Sequence, residues 1–196
     1  MDTKEELKTL FSYLVSMIRN PVQKIKTLPT IHWKTLIIFQ LFLCTFSVVF
    51  SNLLAPYAIS ITNILVSLFS SVLALSLSSL FFYYFFLIIY NKEISFVRVF
   101  TLVLFAHIPF AIFHLAANIF PPADLIGLGI SGLLMIVGLV ENFDVPKKLS
   151  MQLMLSLYSV FIAYWVVQMI AFREVQEMSA PQNLDSIERE VQTINY

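Results

Sequence analysis

Two histidines and a proline interrupt an apolar run in "FAHIPFAIFH", residues 105–114. Imidazoles inside a membrane can carry protons, and a pair of them can ligate a metal. His107 and His114 are seven residues apart, so on one helix they share nearly one face but stand about 10.5 Å apart along the axis. Zinc needs both nitrogens within ~2.0–2.1 Å of the metal, and this separation rules out a simple two-histidine metal site. The plainer expectation is that each imidazole makes a structural hydrogen bond to a neighbouring helix. The sharper one is a polar seam for ions or protons, extended a further turn by Asn118. Pro109 removes a backbone hydrogen bond and clashes with the carbonyl of Phe105, so a kink is predicted there. The freed carbonyl then needs a donor from His107, from serines of the preceding helix or from water.

Two acids flank the next apolar segment. Asp124 follows "FPPA" and suits the N-terminal cap of a helix, where the dipole favours an anion. Glu141, in "GLVENFDVPKK", falls at the opposite end, where the dipole disfavours it; a partner among Lys147, Lys148 and Arg98 is predicted. No HExxH, glycine-rich phosphate loop, GxSxG or paired membrane aspartates occur, so the sequence predicts neither an enzyme nor a cofactor. The single cysteine, Cys44, lies in an apolar segment and reads as a small packing residue. Twelve basic and twelve acidic residues cancel, and nothing in that balance suggests a nucleic-acid partner.

The elements that must hold these residues are membrane spans. The chain is 59% hydrophobic and 12% charged, against about 45–50% apolar residues in soluble domains, and its mean hydropathy is +0.84. Five apolar segments, 35–54, 61–90, 97–119, 122–141 and 149–171, each approach or exceed the ~20 residues needed to cross a bilayer. The predicted fold is all-α: a polytopic bundle of five transmembrane helices with an N-terminal amphipathic helix. Residues 1–34 form the cytoplasmic interfacial segment, 35–172 the transmembrane domain and 173–196 a polar, acidic tail. Lys4, Lys8, Arg19, Lys24, Lys26 and Lys34 precede the first span, Lys92 and Arg98 lie in the second loop, and Lys147 and Lys148 in the fourth. The first and third loops contain no Lys or Arg. This alternation predicts a cytoplasmic N-terminus and an outer C-terminus.

Leu7, Leu10, Phe11, Leu14 and Ile18 recur at helical spacing. Residues 3–19 are therefore expected to form a helix that lies along the inner leaflet or packs on the bundle's cytoplasmic face, ending at Pro21. In the tail, Leu184, Ile187, Val191 and Ile194 suggest a shorter amphipathic helix. In lipid, helices associate through small residues and interhelical hydrogen bonds. All four glycines lie within "GLGISGLLMIVG", 127–138. Gly127, Ser131 and Gly138 mark a tightly packed fourth helix, and Ser67, Ser71 and Ser78 form a stripe on the second that is expected to dock on a neighbouring helix or on a second copy of the chain.

Three stretches resemble the Yip1 domain family, particularly its short bacterial members. "NPVQKIKTLPTIHW" (20–33) is similar to the Asn-Pro and Pro-x-x-x-Trp lead-in to the first span. "NKEISFVRVFTLVLFAHIPF" (91–110) is similar to the short charged loop, the Ser-Phe-x-Arg helix start and the Ala-x-x-Pro of the third helix. "GLVENFDVPKKLS" (138–150) is similar to the Gly-Leu-x-Glu ending of the fourth helix and its basic step into the fifth. The resemblance covers about residues 20–172. It implies a multi-pass protein of the bacterial inner membrane that organises membrane or recruits partners, itself or other membrane proteins included. Eukaryotic members associate with Rab-type GTPases in membrane traffic. This chain lacks their long hydrophilic N-terminal domain and Asp-Leu-Tyr-Gly-Pro segment, which argues against GTPase binding. The alternative from the residues alone is a small channel or transporter using His107 and His114.

Overall fold

The structure, a computed structural model, describes residues 3–54, 61–117, 119–120 and 122–179. Among the described residues the regular elements are all helical. Five helices are long and apolar enough to cross a membrane: Trp33–Leu53, Ile64–Ile89, Phe96–His114, Ala123–Phe143 and Lys147–Val167. The chain is an integral membrane protein. It divides into two compact units, Met1–Leu155 and Ser156–Tyr196. In the second, the described residues are helical as far as Ser179. Asn118, the 55–60 connection and the tail helix expected around Leu184–Ile194 lie outside the described residues.

Helix α1 (Thr3–Arg19) has Glu5 and Glu6 in its first turn and Arg19 in its last, which matches the helix dipole at both ends. Pro21 ends it and opens the short α2 (Pro21–Ile25), where a missing N–H costs nothing. The N-terminal segment packs on the bundle: Leu10, Met17 and Ile25 are buried in the common core, and the Tyr13 ring meets Phe105 edge-on at 4.6 Å. The Tyr13 hydroxyl donates to the Lys24 carbonyl at 2.6 Å; burial pushes this phenol up to about 12, so it stays a donor at neutral pH. Thr35 donates to Glu6 Oε2 at 2.6 Å, tying α1 to α3 (Trp33–Leu53). His32 caps α3 by accepting the Lys34 amide at 3.4 Å.

Helix α4 (Ile61–Tyr84) runs into a π-helical turn at Phe85–Ile89. Phe82, Phe85 and Phe86, at i, i+3 and i+4, share one face and are all buried in the core. Asn91, at φ 46°, then ends the helix in a left-handed conformation that Asn tolerates. The small-residue stripe lies only partly on the packed face of this helix. Ser67 and Ser71 are half-buried and continue at steps of four and three into the buried Leu75, Ser79 and Phe82, whereas Ser78 is exposed. The Ser71 hydroxyl is spent on the Ser67 carbonyl of its own helix. Gln40 of α3 reaches across to this face, bonding the Val72 carbonyl at 3.0 Å and Ser76 Oγ at 3.3 Å.

The third span is α5 (Phe96–Ala106) followed by α6 (Ile108–His114), and the fourth is α7 (Ala123–Phe143). Gly127 sets the approach of α7 to α6, because a Cβ there would lie 2.8 Å from Phe113 Cβ and 3.0 Å from Phe110 Cα. At Gly138 a Cβ would collide with the buried Leu102 side chain of α5. The last helix, α8, spans Lys147–Ser179. Gly127→Ala should therefore destabilise the protein by about 1–3 kcal/mol through forced separation of backbones. Gly132→Ala, whose Cβ would meet only Met154 Cε at 3.7 Å, should leave stability unchanged or raise it by up to about 1 kcal/mol through helix propensity. Thermal unfolding in detergent compares the two, and equal losses would refute close packing at Gly127.

Candidate functional site

The predicted kink is a true interruption one residue wide. α5 ends at Ala106, His107 forms a turn, and α6 restarts at Ile108 with Pro109 in its first turn. A new helix start leaves amides without intrahelical acceptors; Pro109 has none to leave, and the Phe110 amide donates to Ser131 Oγ at 3.1 Å. At the other end of α6 the helix tightens into turns in which Leu115 bonds to Ile112 and Ala116 to Phe113. This frees the Ala111 carbonyl, which accepts from Ser47 Oγ at 3.1 Å. The partners of the broken helix thus come from the first span, where Ser47 donates, and the fourth, where Ser131 accepts, not from the serines of the second. Ser131 does two jobs: it lets α7 approach α6 and it accepts the stranded amide.

The two histidines have separate surroundings. His107 is half-buried with its ring 4.8 Å from that of Phe110. Among the described residues it makes no side-chain hydrogen bond to a neighbouring helix, contrary to the structural bond expected for it. The His114 ring stacks on Phe110 at 5.6 Å, and its Nδ1 lies 2.9 Å from Asp124 Oδ1. Asp124 is therefore not a cap. Pro122 occupies the N-cap position with no side-chain cap bond, and the carboxylate, still in the favourable first turn of α7, is turned to the imidazole. Sequence reasoning missed this pair, although the signal was there. His114 closes one helix and Asp124 opens the next across a short connection, so the two stand at the same depth. Among the described residues no three His, Cys, Asp or Glu side chains gather as a metal site.

A second polar cluster closes the opposite end of α7. Its C-terminus carries Glu141 and Asp144 together with the negative end of the helix dipole. Glu141 pairs with Lys26 at 3.0 Å, not with Lys147, Lys148 or Arg98, because α2 packs directly against this end of α7. Arg98 sits over the Phe143 ring at 5.6 Å. Lys92 donates to the Phe143 carbonyl at 2.8 Å and to Asp144 at 3.1 Å. Asn142 Nδ2 donates to the carbonyls of Ile25 at 2.8 Å and Gly138 at 3.1 Å, and its Oδ1 accepts the Leu28 amide at 3.5 Å. Asp144, left-handed at φ 56°, turns the chain so that its own amide and that of Val145 return to the Leu139 carbonyl.

Comparison with known proteins found no match. That holds for family models, for curated proteins and for solved structures alike. The site is consequently described by its own geometry: a broken third helix stitched by two serines, a His–Asp pair at one end of the fourth helix, and a clasp of cations and Asn142 at the other.

The His114–Asp124 contact predicts non-additive stability effects. His114→Ala and Asp124→Ala should each lower the unfolding temperature, and the double variant should lose less than the sum, with a coupling of at least about 0.5 kcal/mol. Strict additivity in this cycle would mean that the two side chains do not interact.

Proposed function

We propose that this chain is a non-enzymatic protein of the Yip1 type that organises membrane or recruits partners through its cytoplasmic end. The observation that carries this reading is the convergence of the three family-like stretches. Lys26 and Ile25 from the first, Lys92 from the second, and Glu141, Asn142 and Asp144 from the third meet in one clasp. Stretches separated by more than a hundred residues in sequence, as Ile25 and Asn142 are, thus behave as one structural unit. That is what a shared motif set would require.

The same clasp gathers basic residues of the N-terminal segment and the second loop at one end of the bundle. By the positive-inside rule this end belongs to the cytoplasm, and we assign the chain to the bacterial inner membrane with its C-terminus outside. Single-cysteine labelling tests the orientation. In a Cys44→Ser background, Ser95→Cys should react from the cytoplasmic side and Ser179→Cys from the outer side; labelling from one side only breaks the five-span topology.

The alternative of a small channel or transporter draws on the half-buried His114–Asp124 pair, since ionisable groups at membrane depth are functional candidates. The pair also has a structural use, joining the ends of two adjacent helices, and His107 does not share it. Proteoliposomes separate the readings. We expect proton and divalent-cation flux no greater than in empty liposomes, whereas flux abolished by His107→Ala with His114→Ala would replace the proposal with a transporter.

A further inference from the structure

Helix α1 divides into three faces. Leu10 and Met17 are buried against the bundle, and Phe11, Val15 and Ile18 form an apolar ridge left exposed, Phe11 by 69% and Ile18 by 63%. The third face is polar. Lys8, Thr9, Ser12, Tyr13 and Ser16, together with Lys24 of α2, line a groove of about 400 Å³. A helix with one face on protein, one apolar and bare and one polar fits a corner between bundle, hydrocarbon and water. At such a corner the polar groove lies at the depth of lipid headgroups.

The donors in this groove are specific. Thr9 and Ser16 spend their hydroxyl hydrogens on the Glu5 and Ser12 carbonyls at 2.9 and 2.8 Å. Tyr13 spends its own on the Lys24 carbonyl, and this bond fixes α2 beside α1, so that Lys24 and Lys8 line the same groove. Neither lysine is in an ion pair among the described residues, in contrast to Lys26 and Lys92. Two lysines outside any ion pair among the described residues and Ser12 therefore line one small volume that has no carboxylate among its lining residues. The chemistry that satisfies them is a phosphate.

We propose that the groove between α1 and α2 binds the phosphate of an anionic phospholipid, held by Lys8 and Lys24, with the acyl chains beside the Phe11–Ile18 ridge. A lipid, in preference to a soluble phosphate, is the occupant because the apolar ridge on the same helix is exposed and continuous with it. The inference deepens the membrane-organising reading and rests on α1 lying at the bilayer surface.

The test is native mass spectrometry of the full-length protein in a non-ionic detergent, titrated with phosphatidylglycerol or phosphatidylcholine. One phosphatidylglycerol should bind in preference to phosphatidylcholine. Lys8→Ala with Lys24→Ala should weaken it by at least about tenfold, since each basic residue near a lipid surface contributes about that order of affinity. Lys147→Ala with Lys148→Ala removes the same charge elsewhere and should leave binding unchanged. Tyr13→Phe keeps every charge and the ring contact with Phe105 but releases Lys24, and should weaken binding severalfold. Wild-type affinity in the Lys8/Lys24 double variant, or equal binding of the two lipids, overturns the proposal. Unchanged binding in Tyr13→Phe reduces the groove to a diffuse basic surface and overturns it as a built site. Displacement of lipid by inorganic phosphate at comparable concentration makes the ligand a soluble anion and overturns the lipid assignment. Detergent has no sidedness, so failure of the orientation read by cysteine labelling leaves this result independently readable.

Discussion

A backbone amide stranded in hydrocarbon is the constraint around which this bundle is arranged. Water cannot reach it there, so an unsatisfied N–H or C=O costs several kcal/mol. Breaking the third span at His107 and Pro109 strands the Phe110 amide, and the tightened end of α6 frees the Ala111 carbonyl; the fourth and first spans answer with Ser131 and Ser47. Those bonds require α7 to come unusually close to α6, which Gly127 permits because it has no Cβ. The helix order in the core follows: the broken third span packs against both the first and the fourth, and the second packs beside the first and third.

Hydrophobic matching alone cannot hold such a bundle, because lipid tails are as apolar as the leucines between the helices. Directional contacts supply what apolar burial does not. Gln40 links the first and second spans, the two serines link the first, third and fourth, and Asn142 binds the N-terminal segment to the end of the fourth. The polar groups thus sit at few positions, each bridging elements far apart in sequence. Apolar side chains such as Phe86, Phe105 and Phe143, fully buried, fill the space those bridges define.

Much of the architecture was legible because membrane spans announce themselves by length and composition. The five segments, the N-terminal helix ending before Pro21 and the interruption at Pro109 all follow from local sequence. What was not legible depends on rotation and depth. From Ser67 and Ser71 a stripe continuing to Ser78 obeys helical spacing as well as one continuing to Leu75, Ser79 and Phe82, and only the neighbours choose between them. Partners were likewise hidden. Glu141 had nearer cations in sequence than Lys26, and Asp124 suited a cap as well as it suits His114. Spacing states which residues share a face but not what lies opposite.

Asn142 gives the N-terminal segment its last anchor, 117 residues after Ile25 in the chain. At a synthesis rate of ~5–20 residues per second, roughly 6–23 s separate the appearance of the two partners. Throughout that interval α1 and α2 have emerged while the fourth span has not been made, and the only surfaces open to them are the membrane and the earlier helices. This end of the bundle is therefore assembled from segments made well apart in time, and closing it records that the fourth span has been inserted.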